Sequence, residues 1–284
     1  MRGRTTPRGA LADVRPVRFR PSHANVGHAQ RHQTTAPPVT QPTAGATITG
    51  AAIADFDWTD ADLAEAVFVD CVIEDAQLSN TVLREARFQR CRLVRCRLAH
   101  ADLREAVFED CVFADAATHA GLTVAFSQLE QARFARCDLS FAQFDRSDLY
   151  DVAMEDCNLR GARFHRADFS KSFARQVVRT SAIFRRCNFH LAELAEVRLP
   201  GCDLSGSLFR EADLSGADLE GADLSGADLF GAIWTDVKLA GADLRGAEVS
   251  GLDLGALATR AGLKITLDQQ YALLSALGID VHLD

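Results

Sequence analysis

Large apolar residues recur every five positions along this chain. The file starts at Trp58 and runs through Leu63, Phe68, Ile73, Leu78, Leu83, Phe88, Leu93, Leu98, Leu103, Phe108 and Phe113. It slips by one residue, resumes at Leu129 and continues to Phe169; after a gap that keeps phase it runs from Phe184 to Leu254. Two residues before each central position the side chain is nearly always small, as at Ala61, Ala66, Cys71, Ala76, Thr81 and Ala86. A period of five is neither the 3.6 of an amphipathic helix nor the 2 of a half-buried strand. It suits a chain that turns a corner every five residues. Each side then points one large and one small residue inward and leaves three toward water.

The same register accounts for the cysteines. Cys71, Cys91, Cys96, Cys111, Cys137, Cys157, Cys187 and Cys202 all occupy the small inward slot. Cysteine buries well as a small hydrophobe, and parallel inward side chains are poorly disposed for disulfides. No spacing matches a zinc site. The eight thiols are expected to be free structural filler.

Nothing in the chain assembles a catalytic constellation. His100, His119, His165 and His190 are scattered, and no Gly-rich phosphate loop is present. The many aspartates sit at a fixed repeat position and read as a solvated ladder. The expectation is a protein that is not an enzyme, with no cofactor, no metal and no internal pocket.

Charge is unevenly spread over a net −8. Residues 1–50 hold seven Arg against one acid, Asp13. Residues 51–113 carry −6, residues 114–198 carry +1 and residues 199–284 carry −9. An acidic body argues against a nucleic-acid partner but fits a protein partner that itself binds a polyanion. No apolar run reaches the ~18 residues of a membrane span. The N-terminus lacks the apolar stretch of a secretory signal, so the expected location is cytoplasmic, with no membrane partner.

Three segments follow. Residues 1–50, rich in Arg, Pro, Thr, Gln and His without hydrophobic period, read as a disordered basic tail. The tail is either dispensable or an arm that touches nucleic acid or the acidic body. Residues 51–257 are the repeat, interrupted near 114–128 and 170–183. Each interruption is either a bulge or a projecting loop, and in the second Phe173 and Val177 could plug the core off register. Residues 258–284 form a cap. There, Thr266 and Gln269 have capping-box spacing, a helix runs to about Leu277, and Gly278 ends it. Leu267, Tyr271, Leu274 and Leu277 share one face, and Ile279, Val281 and Leu283 alternate as a short strand. This apolar surface exceeds what one rod end can cover, which points to a homodimer contact.

The run Ala212-Asp213-Leu214-Ser215-Gly216-Ala217-Asp218-Leu219 resembles the Ala-Asp/Asn-Leu-x-x unit of the pentapeptide-repeat family. The resemblance covers about four-fifths of the chain. It implies an all-β fold, a right-handed quadrilateral parallel β-helix with a C-terminal capping helix, of about nine coils and about 43 Å at ~4.8 Å per coil. The segment from Gly262 to Ile279 resembles the C-terminal signature of the Qnr-type quinolone-resistance subgroup, a lysine-bearing strand leading into a Gln-rich helix that ends Leu-Gly-Ile.

That resemblance implies a head-to-head homodimer through the C-terminus, with Leu267, Tyr271, Leu274, Leu277 and Ile279 at the contact. It also implies a type II topoisomerase partner, DNA gyrase or topoisomerase IV, protected from quinolone-type or natural-product poisons. An acidic surface imitating DNA would include Asp213, Asp218, Glu220, Asp223, Asp228, Asp236 and Asp243. Partner-binding loops would include His119, Leu122, Phe126, Lys171, Phe173, Arg175 and Arg179. The sequence departs from the subgroup in its long basic tail, its loops, and a middle that is not acidic, where Arg146, Arg166 and Arg186 are spaced as if one coil apart. A pentapeptide-repeat scaffold for an unrelated partner is the alternative.

Overall fold

The structure is a computed structural model and describes residues 42–53, 56–174 and 177–280. The N-terminal stretch 1–41, Arg175, and Val281 and Leu283 of the expected terminal strand lie outside the described residues. Each five-residue unit forms one side of a square coil, and successive coils stack as parallel strands and bridges. The result is a right-handed, four-sided β-helix closed by the helix Leu267–Ala276.

The four faces follow from the repeat. Face 1 stacks Ile48, Phe68, Phe88, Phe108, Phe134, Met154 and Phe184 in one file, and bridges carry it on past Asp203 and Asp223 to Asp243. Faces 2, 3 and 4 begin with Ile53, Trp58 and Leu63, each carried up the rod by parallel bridges. The central residues are almost all buried, Leu63, Phe144, Leu224 and Leu244 completely. In-register stacking lets identical side chains pack on one another. The rings of Phe68, Phe88, Phe108 and Phe134 lie 4.6, 4.9 and 4.7 Å apart and nearly parallel, the one-strand spacing of a parallel sheet.

The first strand, Thr47–Thr49, already pairs with Val67–Val69. The coils therefore begin inside the stretch expected as tail. Ile48 is a weak central residue set beside Thr47 and Thr49, and its period was hidden by polar neighbours.

All eight cysteines are buried and free. Six of them, Cys71, Cys91, Cys111, Cys137, Cys157 and Cys187, form one interior file beside face 2. Their thiols donate mainly to carbonyls of their own coil and the coil before, as Cys91 does to Gln89 (3.4 Å) and Phe68 (3.3 Å). Burial pushes the Cys96 thiol up to about 11 and that of Cys202 up to about 12, and it raises Cys187 as well. These groups stay protonated and unreactive.

Corners need a backbone in the left-handed region. In the first two-thirds of the rod that region is held mostly by non-glycine residues, such as Asp70, Arg90 and Phe141. Beyond Leu199 it is held mostly by Gly201, Gly206, Gly216, Gly221, Gly226, Gly231, Gly241 and Gly246, with Glu211 and Asp236 as exceptions.

The end of the rod is closed by side-chain chemistry. Gln269 accepts a hydrogen bond from the Thr266 backbone N–H (2.7 Å), completing the capping box. Its amide donates to the carbonyls of Leu244 (2.6 Å) and Ala247 (2.7 Å). One glutamine thus starts the helix and satisfies the open edge of the last coil, which otherwise invites strand addition. Leu273, one turn on, is buried over the core. Gly278 and Ile279 donate to Ser275 and Leu274 in the paired pattern that terminates a helix at a left-handed glycine.

Candidate functional site: two projections, an acidic end and an open helix face

Both interruptions project, but from opposite edges. The first leaves the edge between faces 2 and 3. Asp115 and Ala120 bridge antiparallel, and residues 116–119 make a tight turn. The coil is thereby six residues longer, 26 instead of 20, between Phe108 and Phe134. The Asp115 carboxylate accepts from the Ala117 N–H (2.9 Å) and from Arg95 (2.8 Å). These two contacts, the backbone one first, hold its pKa down to about 2. His119 lies edge-on to Phe141, 5.4 Å away, and the Arg160 guanidinium sits 5.8 Å from the same ring. Gly121 passes so close to Phe141 that a Cβ there would come within 2.3 Å of the Phe141 carbonyl carbon.

The second projection leaves the edge between faces 4 and 1 as a β-hairpin, Ser170–Ala174 against Val177–Thr180. It adds ten residues between Met154 and Phe184 while leaving their stacking intact. Its base is fastened to face 4. Lys171 pairs with Glu130 and lies 5.7 Å over the Tyr150 ring. Phe173, at the point where the hairpin register shifts, meets Tyr150 edge-on at 5.8 Å, with Arg179 5.6 Å over it. Phe173 (56% exposed) and Val178 (60%) face solvent, as does Val177. The expectation that Phe173 and Val177 plug the core is therefore corrected. Phe169 and Phe184 already fill the adjoining inward slots, and the inserted strands satisfy their own backbone groups outside.

The sequence-predicted loop set is divided. Lys171, Phe173, Arg179 and His119 stand on the projections. Leu122 does not: it is buried in the small inward slot of face 3, two residues before the central Val124. The file of central residues breaks after Phe113 and resumes at Leu129, so the pattern alone groups Leu122 with the loop. Phe126 sits on the edge between faces 3 and 4, half-exposed, stacked on His100 at 5.2 Å with Arg146 5.5 Å from its ring. Arg146 and Arg166 do follow it on that edge, but Arg186 does not. The hairpin moves Arg186 to the edge between faces 1 and 2, where it bonds Asp156 at 2.7 and 2.8 Å. Sequence reasoning missed Tyr150 and Glu130, the platform of the hairpin, because their positions are ordinary surface positions of the repeat.

The acidic residues of the last third surround the rod instead of forming one stripe. Asp223 and Asp243 stack on face 1, Asp228 lies on face 2, Asp213 on face 3, Asp218 and Glu220 on face 4, and Asp236 on an edge. One oxygen of each ladder aspartate caps the N–H two residues on, as in Asp213 to Ser215 (2.9 Å) and Asp223 to Ser225 (2.9 Å), the turn chemistry that favours Asp there. Some are also neutralised. Arg210 pairs with Asp228, Lys238 approaches Asp218, and Arg245 holds the Asp243 carboxyl down to about 2. Among the described residues Asp213, Asp223 and Asp236 form no ion pair.

Beyond the buried Gln269 and Leu273, the C-terminal helix presents an apolar face outward. Leu267 is 86% exposed and Tyr271 62%, with Leu277 and Ile279 also exposed and Leu274 half-buried. An open depression of about 470 Å³ lies on face 3. Within it Arg163 pairs with Glu193 at 2.9 Å and the His165 ring nitrogen lies 2.7 Å from Asp145, while Arg97 forms no ion pair among the described residues. No group of His, Cys, Asp and Glu among the described residues is arranged to hold a metal ion. No helix among them is long and apolar enough to cross a membrane.

Pentapeptide-repeat profiles match residues 44–116, 129–172 and 187–255. The chain belongs to the pentapeptide-repeat family. No curated protein matches it. Among solved structures it is similar to full-length QnrB1, a plasmid-mediated fluoroquinolone resistance protein, with a TM-score of 0.70 and 24% identity over 82% of this chain and 100% of that one. A trypsin-treated variant of QnrB1 is similar at a TM-score of 0.62 and 26% identity, covering 84% of this chain and 99% of that one. The fold is that of Qnr-type pentapeptide-repeat proteins.

Proposed function

We propose that this protein binds a type II topoisomerase, DNA gyrase or topoisomerase IV, and protects it from poisons, acting as a homodimer joined at the C-terminal helix. The observation that carries the reading is the helix face of Leu267, Tyr271 and Leu274. It lies beyond the capped rod end, directly after the most acidic coils. Pairing two such faces buries apolar surface that a monomer leaves in water. It also places two acidic thirds end to end at the centre of a long rod, where a basic DNA-binding surface expects phosphates. The full-length match to a fluoroquinolone resistance protein supports the same reading. The hairpin with Phe173, Val178 and Arg179 supplies the contact that distinguishes one partner from another, since projections on a rigid scaffold carry specificity. The reading gives the protein binding work and no reaction, with no cofactor, in the cytoplasm.

A supercoiling assay with purified gyrase and a quinolone tests it. Added protein is expected to restore supercoiling in the presence of the drug, or to inhibit it alone at higher concentration. A protein that does neither overturns the reading. For the dimer, Leu267→Arg is expected to halve the mass in solution and to remove the concentration dependence of the melting temperature while leaving the β-sheet circular dichroism unchanged.

A second reading, a scaffold for an unrelated partner, is favoured by one observation: the carboxylates lie on all four sides instead of tracing two phosphate-like lines. A rod that binds neither gyrase nor topoisomerase IV, yet remains a dimer, would support it.

A further inference from the structure

The outer surface of the last coils is built from Asp, Ser, Gly and Glu, yet one edge breaks that rule. Across face 2 and the edge it shares with face 3 the rod exposes Leu191, Leu208, Phe230 and Ile233 on three consecutive coils. Ile233 occupies the outward position that Glu193 and Asp213 hold on the two coils before it, and Leu208 the position of Asp228 on the next coil. The backbone hydrogen bonds Leu191 to Arg210 (3.0 Å), Glu211 to Phe230 (3.2 Å) and Ile233 to Ala212 (2.9 Å) fix these coils one above another. The patch is therefore held rigidly and is about 10 Å tall. Arg210 is already engaged, bonded to Asp228 at 2.5 Å and lying 5.9 Å over the Phe230 ring. Around the patch Glu211, Asp213 and Glu248 form no ion pair among the described residues.

The same edge also carries the first projection. Phe141, against which His119 rests, precedes Leu191 along it. Gly161, flanked by Arg160 and Arg163, stands between Phe141 and Leu191, so the projection and the apolar patch share this edge, on the side opposite the hairpin, as separate surfaces.

We propose that this edge is an apolar anchor for the topoisomerase partner, which meets it with an apolar side chain set in a basic surface. The inference rests on the function proposed above and adds a component that phosphate imitation lacks. An apolar centre within a charged rim is the anatomy of a specific protein contact. A surface that merely copied DNA would have no use for Phe230 and Ile233. Attraction between the acidic rim and the partner is screened as salt rises, with a Debye length falling from about 10 Å at 0.1 M to about 3 Å at 1 M. The apolar contact is not screened.

The test compares the full chain with its Phe230→Ser/Ile233→Ser variant for binding to purified gyrase holoenzyme, at about 0.1 M and about 0.5 M salt. Wild type is expected to retain measurable binding at the higher salt. The variant is expected to bind about tenfold more weakly at the lower salt and not measurably at the higher. Binding by wild type with no loss in the variant overturns the anchor and leaves the topoisomerase reading standing. No binding by wild type at either salt overturns both. The residues are exposed, so the melting temperature should not move; if the double variant melts early, Ile233→Ser alone carries the same comparison.

Discussion

The two ends of this rod solve the same corner problem differently. In the last third the left-handed corner residue is mostly glycine, the inner slot mostly alanine and the outer position mostly aspartate. Most positions take the residue that fits them with least strain, and the result is an acidic rod of nearly uniform coils. In the earlier coils the corners are charged. Between faces 1 and 2 they alternate as Asp70, Arg90, Asp110, Arg136, Asp156 and Arg186, each arginine bonding the aspartate of the coil before it with two hydrogen bonds. A side chain in the left-handed region is strained by roughly 1–2 kcal/mol relative to glycine. What these coils gain is identity: stacking one coil out of place would set Asp against Asp and Arg against Arg. The projections emerge only where the corners are specified in this way. Long insertions in a rod of identical coils would leave register weakly defined, a hazard of flat repetitive strands. The comparison suggests a division of labour, with register and loops in the first two-thirds and surface charge in the last.

The largest effect should follow from attacking what both regions share. Leu214→Asp places a charge in a slot that is 2% exposed, with no partner in the core. Loss of about 3–5 kcal/mol is expected, seen as a large fall in the urea midpoint. Because coils contact only neighbours, hydrogen exchange should rise first in coils adjoining face 3 near Leu214. A variant with the wild-type midpoint would contradict the register itself.

Glycine separates the regions next. A Cβ added at Gly121 would come within 2.3 Å of the Phe141 carbonyl carbon, a main-chain neighbour that cannot swing aside. Gly226 has open space around it and a φ of 65°. Gly121→Ala should therefore force the turn at 116–119 away from Phe141 and cost more than about 2 kcal/mol. Gly226→Ala should cost only the conformational penalty of about 1 kcal/mol. Thermal melts of the two single variants check the order. Equal losses would mean the insertion is free to shift, and that the first projection is not a rigid feature of its edge.

The period of five made the inward positions and the buried cysteines readable from the residues alone, and the capping-box spacing of Thr266 and Gln269 did the same for the closing helix. What it could not carry was which face a residue occupies. A face is set by a period of twenty, and each insertion resets the count without disturbing the five. Hence Arg146 and Arg166 share an edge while Arg186 does not, and Leu122 looked like loop although it fills the core. The hairpin was equally hidden. Ten residues with two strand-forming runs keep phase with the repeat whether they project or stay in the wall, and only the solvent-facing Val178 and the Tyr150 platform distinguish the outcomes. The apolar edge was visible in principle, since Leu208 and Ile233 stand where a neighbouring coil has aspartate. It gained meaning only once three coils were stacked.

The smallest effect concerns protons. Asp102, on face 4 in the earlier coils, accepts from Arg104 at 2.6 and 2.8 Å and from Arg84 at 2.9 Å. Arg104 foremost, then Arg84, lowers its pKa to about 2 against the opposing cost of burial. A carboxyl depressed in the folded state contributes stability that is complete above its unfolded pKa of about 3.9 and is lost as pH falls toward about 2. In the last third Asp243 is depressed just as far, by Arg245 foremost with Lys264 adding to it. Its carboxylate is no more exposed than that of Asp102, but the Arg245 partner is 62% exposed against 37% for Arg104, so solvent screens the pair more strongly. Between about pH 5 and pH 2 the melting temperature of Asp102→Asn should therefore fall less steeply than that of wild type, and Asp243→Asn should follow wild type more closely. If the two variants flatten the acid limb equally, the difference between the regions does not extend to their ion pairs, and register in the earlier coils rests on the alternating corners and the stacked phenylalanines.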